Sequence, residues 1–144
     1  MGAPAVTIAG AVDTRVAAVV ALYGGGRLGT LVAHTLQHPD QRSPYRPWPA
    51  VALGHALAWF IAPLEPVRYV AGIAPRPYLM INGADDTLIP RECVGALYEA
   101  AGAPKDLIWL RGEHVQPDEQ ELIRQVAGRI SDWLVARGLL PATL

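Results

Sequence analysis

The chain has 144 residues, of which 51% are hydrophobic, and its 12 basic and 13 acidic side chains give a formal net charge of -1. This composition predicts one folded domain or part of one and argues against disorder. The near-balance of charge argues against a nucleic-acid partner and against a polybasic membrane contact. The single cysteine, Cys93, excludes an internal disulfide, and no Cys/His spacing indicates a metal site.

The sequence shows no targeting or membrane-spanning segment. Residues 1–12 lack the basic region with which a signal peptide begins. The longest apolar stretch, Val16–Tyr23, is far shorter than a membrane-spanning helix. We therefore expect a cytoplasmic protein without a membrane partner.

The first elements are predicted from side-chain size and branching. Gly2–Val12 is small and apolar, which is typical of a tightly packed helix. Val16–Tyr23 is an unbroken, β-branched run that suits a strand buried on both faces of a parallel sheet, and glycines end it at position 24. Residues 27–66 are interrupted by prolines and predict a lid-like, irregular excursion, with a helix-like run over Pro49–Ile61.

The second half predicts a regular alternation of strands and helices. Buried strands are expected at Pro77–Asn82 and Asp106–Leu110, and helices at Arg91–Ala101 and Asp118–Arg137. The last helix is amphipathic, because its apolar residues recur at helical spacing. This order predicts the α/β class, with a partial doubly wound and mostly parallel sheet.

Two ionisable residues follow the predicted strands of this second half. Asp86 lies in the loop after the first of them, and His114 in the loop after the second. Ligands bind at the carboxyl ends of such strands. A serine hydrolase needs a histidine base and an acid that fixes its tautomer, in the chain order serine, acid, histidine in α/β-hydrolases. Asp86 and His114 therefore fit the last two places.

Three segments carry a resemblance to a known family. Arg76–Pro90 has an apolar strand leading to Gly-x-x-Asp and then an apolar-Pro pair, Gly112–His114 forms a Gly-x-His turn, and Asp132–Leu134 lies in the final helix. Over residues 64–134 the sequence resembles the C-terminal half of the dienelactone-hydrolase-like and esterase branch of the α/β-hydrolases. The resemblance implies that Asp86 is the acid, with Asp85 as its neighbour, and that residues 1–144 form an incomplete α/β-hydrolase domain without a metal or cofactor.

The N-terminus extends this resemblance. Family elbows commonly read Gly-x-Ser-Met-Gly, followed by small residues and a strand that ends in Tyr-Gly. This chain begins Met1-Gly2 and reaches Tyr23-Gly24. The resemblance implies that the nucleophilic serine stands immediately before Met1, and that the backbone N–H of Met1 belongs to the oxyanion hole. Ser43, in the excursion, and Ser131, on the last helix, are poorly placed substitutes.

The expected function is that of the C-terminal part of a serine hydrolase acting on a small-molecule carboxylic ester, or secondarily on a thioester or peptide. Without the serine, activity of the chain alone is doubtful. One alternative is a non-catalytic binding or assembly protein. Another is one half of a complemented hydrolase, whose sheet edge is covered by a separately made N-terminal half or by self-association.

Simpler explanations compete with each candidate residue. Asp86 could cap a turn, with Asp85 as the competing acid, and a lone His114 could be a surface residue. Cys93 is expected to pack as a small hydrophobe. His34, His38 and His55 have no matching partner and are expected at the surface or in the excursion. Core or lid packing is expected for a set of aromatic residues that could otherwise line an acyl pocket: Trp48, Trp59 and Phe60.

The run from Gly24 to Gly29 formally satisfies G-x-G-x-x-G after a strand, which makes a dinucleotide-binding fragment a remote alternative. That fold needs a second strand ending in an acidic residue about twenty positions on. Residues 41–47 instead contain two prolines and no acidic residue, which argues against this alternative.

Overall fold

A computed structural model describes residues 2–37, 59–114 and 119–141, together with Ala52 and Ala56. Its helices are α1 (Gly2–Val12), α2 (Leu28–Gln37), α3 (Arg91–Ala100) and α4 (Gln120–Ala136). Its strands are β1 (Val19–Leu22), β2 (Tyr78–Gly83) and β3 (Lys105–Leu110). Short 3₁₀ helices at Ala62–Leu64, Pro66–Arg68 and Val70–Ile73 lead into β2.

The three strands form one parallel sheet in the order β1-β2-β3. In register, Val19 lies opposite Tyr78, which lies opposite Lys105. Every residue of the central strand β2 is buried, as expected of a strand covered on both faces. The sequence prediction of an α/β fold with a partial, parallel sheet is therefore confirmed.

Helices cover both faces of the sheet. On one face, Tyr78 and Met80 of β2 pack in a cluster with Ala3 of α1 and Val94 and Leu97 of α3. The other face carries a second cluster, which joins residues of β2 and β3 to α4 and to the turn after β1: Tyr23, Leu79, Ile81, Leu110, Val126 and Trp133. Because side chains alternate along a strand, one buried strand serves two separate cores.

The predicted close packing of α1 is confirmed. Ala3, Thr7 and Gly10 recur on the buried side of this helix. A Cβ added to Gly10 would lie 2.3 Å from Cγ2 of Val19. Only small residues therefore allow α1 to approach β1 so closely.

Two expectations differ from the structure. The first strand begins at Val19 rather than Val16, because the guanidinium of Arg76 binds the carbonyls of Val16 and Asp13 at 3.1 and 2.8 Å and holds this stretch outside the sheet. The excursion over residues 27–66 is not irregular throughout, because α2 fills its first part. The carboxylate of Glu65 accepts hydrogen bonds from the backbone N–H groups that begin this helix, Arg27 at 2.8 Å and Leu28 at 2.7 Å.

The remaining expectations agree in kind and differ only at boundaries. Both later strands and both later helices form, each shifted by one or two residues at its ends. Much of the predicted helix-like run Pro49–Ile61 lies outside the described residues. Among the residues that are described, no helix combines the length and apolarity needed to cross a membrane.

Candidate functional site

The loop after β2 holds the carboxylate of Asp86 in a buried position. The Asp86 side chain is only 3% exposed. Its Oδ1 accepts backbone hydrogen bonds from Leu88 at 2.8 Å and from Ile89 at 3.1 Å. The turn therefore orients the carboxylate and leaves its second oxygen, Oδ2, for another donor. Asp86 therefore caps the turn, as the simpler explanation expects, and can still bind a second group through Oδ2.

That donor is the imidazole of His114, in the loop after β3. Nδ1 of His114 lies 2.8 Å from Oδ2 of Asp86. Because an ionised carboxylate only accepts hydrogen bonds, this contact favours the tautomer with the proton on Nδ1 and the lone pair on Nε2. The His114 side chain is 30% exposed. The pair thus combines a buried acid with an accessible histidine at the carboxyl ends of adjacent parallel strands.

Asp85, the competing acid, has a different task in the structure. Its Oδ2 accepts a hydrogen bond from the backbone N–H of Gly112 at 3.1 Å. Its own N–H donates to the carbonyl of Gly112, also at 3.1 Å. Asp85 therefore ties the acid loop to the histidine loop, while Asp86 contacts the imidazole.

Two glycines allow these loops to meet. A Cβ on Gly83 would lie 2.7 and 2.8 Å from the carbonyl oxygens of Glu113 and Gly112. Those atoms belong to the backbone and cannot move aside as a side chain can. Gly112 has a φ of +114°, a conformation that side-chain-bearing residues rarely adopt. The Gly-x-His turn therefore needs its glycine for backbone conformation.

Sequence reasoning gave no role to Tyr23, which completes the surroundings of His114. The two rings meet edge to face, with centroids 5.1 Å apart and planes inclined at 68°. Burial raises the pKa of the Tyr23 phenol, and the charges of Asp86 and Glu119 raise it further. The Tyr-Gly pair at the end of β1 marks Tyr23 in the sequence, but only the fold shows that Tyr23 contacts His114.

The other candidates are placed less centrally. Met1, Ser43, His38, His55 and Trp48 lie outside the described residues, and Ser131 lies on α4. Glu113 is exposed. His34 lies on α2. Core packing of Trp59 and Phe60 is not observed, since these residues are 79% and 78% exposed.

Cys93 behaves as the predicted packed hydrophobe. It is fully buried on α3, and burial raises the pKa of its thiol to about 11. A thiol of this kind stays protonated near neutral pH and is a poor nucleophile. In the described ranges, no three His, Cys, Asp or Glu side chains cluster so as to hold a metal ion.

The glycine-rich run after β1 has an internal partner. The N–H groups of Arg27 and Leu28, at the beginning of α2, are those that a dinucleotide phosphate would require. They bind the Glu65 carboxylate instead. An anion of the chain itself thus occupies the position that the phosphate would take.

Comparison with known proteins gives matches in structure only. Neither a protein-family model nor a curated protein matches the chain. An esterase domain from Rhodothermus marinus matches 92% of the chain with a TM-score of 0.62 and 20% identity. An esterase of Pyrococcus furiosus matches 92% with a TM-score of 0.60 and 21% identity. The α/β-hydrolase GrgF from Penicillium sp. sh18 matches 87% with a TM-score of 0.52 and 20% identity.

The chain has the fold of the C-terminal part of an α/β-hydrolase. It spans 57%, 49% and 58% of the lengths of these three structures, respectively. In this fold, Asp86 and His114 lie in the loops after two adjacent strands.

Proposed function

We propose that this chain supplies the acid and the histidine of a serine hydrolase that acts on carboxylic esters. The hydrogen bond between Nδ1 of His114 and Oδ2 of Asp86 carries the proposal. It joins a buried carboxylate to an accessible imidazole in the chain order that α/β-hydrolases use. The esterases among the structural matches support ester hydrolysis, and the segment Arg76–Pro90 supports a place in the dienelactone-hydrolase-like branch.

Each group has a defined task in this reaction. A serine hydroxyl attacks the ester carbonyl while Nε2 of His114 takes its proton. His114 then gives the proton to the leaving alcohol, and Asp86 keeps the imidazole oriented and stabilises its charged form. We propose that the serine directly precedes Met1, whose backbone N–H would help to bind the oxyanion.

Packing around the beginning of α1 supports this position for the serine. A Cβ on Gly24 would lie 2.2 Å from Cβ of Ala3, so the beginning of α1 rests on the turn after β1. The neighbouring residue in that turn, Tyr23, contacts His114. The beginning of α1 therefore lies beside the turn that contacts the histidine.

An unpartnered amide lies at the same place. Oδ1 of Asn82 accepts a hydrogen bond from the N–H of Gly24 at 3.0 Å. Its Nδ2 is buried and has no hydrogen-bond partner among the described residues. Buried polar groups nearly always have partners. The Nδ2 group of Asn82 could therefore donate to another segment of the protein that packs beside Gly24.

Ser131 is a poor alternative nucleophile. It lies eleven residues after the beginning of α4. At the rise of an α-helix this places it about 16 Å along the axis from the end that follows the histidine loop. Two residues further along α4, Trp133 binds Asp106 near the beginning of β3, so this part of α4 lies toward the end of the sheet opposite His114.

The test extends the reading frame upstream of Met1 and compares the extended protein with the 144-residue chain. Both are exposed to a serine-reactive fluorophosphonate and to p-nitrophenyl acetate. We expect labelling and hydrolysis only in the extended protein, and their loss when the serine before Met1 is changed to alanine. His114→Gln in the extended protein should reduce the labelling rate by about 10³-fold or more.

Two results would contradict the proposal. One is clear labelling of the 144-residue chain. The other is a stop codon, or a sequence without Gly-x-Ser, directly upstream of Met1. A cytoplasmic location stays a prediction that cell fractionation can check.

A second candidate function, assembly with another chain, is favoured by the sheet edge. Among the described strands, β1 pairs only with β2. An unpaired edge is a template for another strand. If the chain associates with itself, light scattering of the purified chain should show a complex. If it is one half of a complemented hydrolase, a complex and ester turnover should appear only when the N-terminal half is added. A stable monomer without turnover would count against this candidate.

A further inference from the structure

The turn after β1 has a backbone conformation that calls for an explanation. Tyr23 has a φ of +48°, in the left-handed region that bulky residues rarely occupy. Strain of this kind persists only where surrounding contacts hold it, and it is concentrated at functional sites. Here the N–H of Tyr23 donates to the carbonyl of Ile81 at 2.8 Å, and the next N–H, from Gly24, donates to the buried Asn82 side chain.

This turn delivers the Tyr23 ring to the histidine. Tyr23 is 7% exposed and packs with Ile81 and Leu110. Its edge-to-face contact with His114 lies at an ordinary separation for an aromatic pair. Gly83 makes room for it, since a Cβ there would lie 3.2 Å from Cε1 of Tyr23.

We propose that Tyr23 is a positioning residue that holds the imidazole of His114 in the orientation in which Nδ1 faces Asp86. The catalytic purpose of that orientation rests on the proposed function. The hydrogen bond at Nδ1 by itself fixes only one point of the imidazole. Contact with a second, buried ring restricts the tilt of the imidazole and so keeps the Nδ1–H tautomer dominant.

The aromatic ring, not the hydroxyl, carries this effect. The Tyr23 hydroxyl is buried and has no hydrogen-bond partner among the described residues. Tyr23→Phe keeps the ring and should therefore keep the His114 orientation. Tyr23→Leu keeps an apolar side chain but removes the aromatic ring. This variant should therefore lose the His114 orientation.

The experiment measures the His114 tautomers in the 144-residue chain by long-range ¹H–¹⁵N NMR, well above the ordinary imidazole pKa of about 6.5. Tyr23→Leu should lower the ratio of the Nδ1–H to the Nε2–H tautomer by about 2- to 10-fold, the effect of one aromatic edge contact. Tyr23→Phe should leave the ratio within experimental error of the original chain. If Tyr23→Leu does not fold, Tyr23→Met takes its place.

Leu79→Ala is the matched control. Leu79 is fully buried in the same apolar cluster as Tyr23. It lies four residues before the end of β2, about 13 Å from the loops of the site. It should lower stability without changing the tautomer ratio.

Three outcomes would overturn the proposal: an unchanged ratio in Tyr23→Leu, an equal fall in Tyr23→Phe, or an equal fall in Leu79→Ala. The measurement requires no hydrolysis. If the extended protein fails to hydrolyse esters while the ratio still follows Tyr23, the proposed function is wrong and the positioning role stands.

Discussion

The Asp86→Asn substitution replaces the oxygen that faces His114 with an NH₂ group. The remaining carbonyl oxygen can still accept the hydrogen bonds of the turn from the N–H groups of Leu88 and Ile89, which hold Oδ1 of Asp86 in the structure. The new NH₂ group then faces Nδ1 of His114, and it can only donate. The imidazole must therefore switch to the Nε2–H tautomer, and Nε2 loses its ability to accept a proton.

The size of the effect on stability follows from how many hydrogen bonds each variant can still form. Asp86→Ala removes all three hydrogen bonds of a side chain that is 3% exposed. Water can replace part of this stabilisation, because Leu88 is at the surface. We expect the free energy of unfolding to fall by about 3 kcal/mol in Asp86→Ala and by about 1 kcal/mol in Asp86→Asn. Each kcal/mol lowers Tm by about 3 °C in a chain of this size, so the variants should melt about 6 °C apart.

Two measurements check this prediction on the 144-residue chain. Thermal and urea unfolding compare the stabilities of the two variants, and long-range ¹H–¹⁵N spectra report the His114 tautomer. In an extended protein that carries the serine, the same Asp86→Asn change should lower kcat by about 10⁴-fold. Persistence of the Nδ1–H tautomer in Asp86→Asn, or equal stability of the two variants, would refute the hydrogen-bonding argument.

Three further predictions concern the support of the site and its surroundings. Gly83→Ala should lower the free energy of unfolding by about 1–3 kcal/mol, because the added Cβ meets backbone carbonyls. Gly95→Ala is the matched control. Its Cβ enters open space on α3, so it should stabilise the protein slightly. Glu65→Ala should cost about 1–2 kcal/mol in urea unfolding because it removes the cap on α2, and recovery of most of this stability in Glu65→Gln would indicate that an acceptor oxygen suffices. Burial raises the pKa of Cys93 from 9.0 to about 11, so the folded state retains the thiol proton to higher pH than the unfolded chain. The free energy of unfolding should therefore fall by about 2–3 kcal/mol as pH rises from 9 through 11, and Cys93→Ala should remove this part of the alkaline destabilisation.

The parts of the fold that depend on local pattern were predictable. The strands β2 and β3 and the helices α3 and α4 were expected from apolar runs and helical spacing, because these patterns reflect which faces must be buried. The helix α2 was missed for a physical reason. Its cap, Glu65, lies 37 positions after Leu28, so no local sequence signal marks where the helix begins. Val16 was wrongly included in β1 because its carbonyl binds the distant Arg76.

The site divides in the same way. By itself, the sequence determined that an acid and a histidine follow consecutive strands, because strand order and loop position are properties of the chain. The family resemblance favoured Asp86 over Asp85, but only the tertiary structure shows why: the bond of Asp85 to Gly112 and the turn around Asp86 send the two carboxylates to different partners. Only the tertiary structure brought Tyr23 to His114, because 91 residues separate them and contact depends on the packing of β1 and β3 on either side of β2.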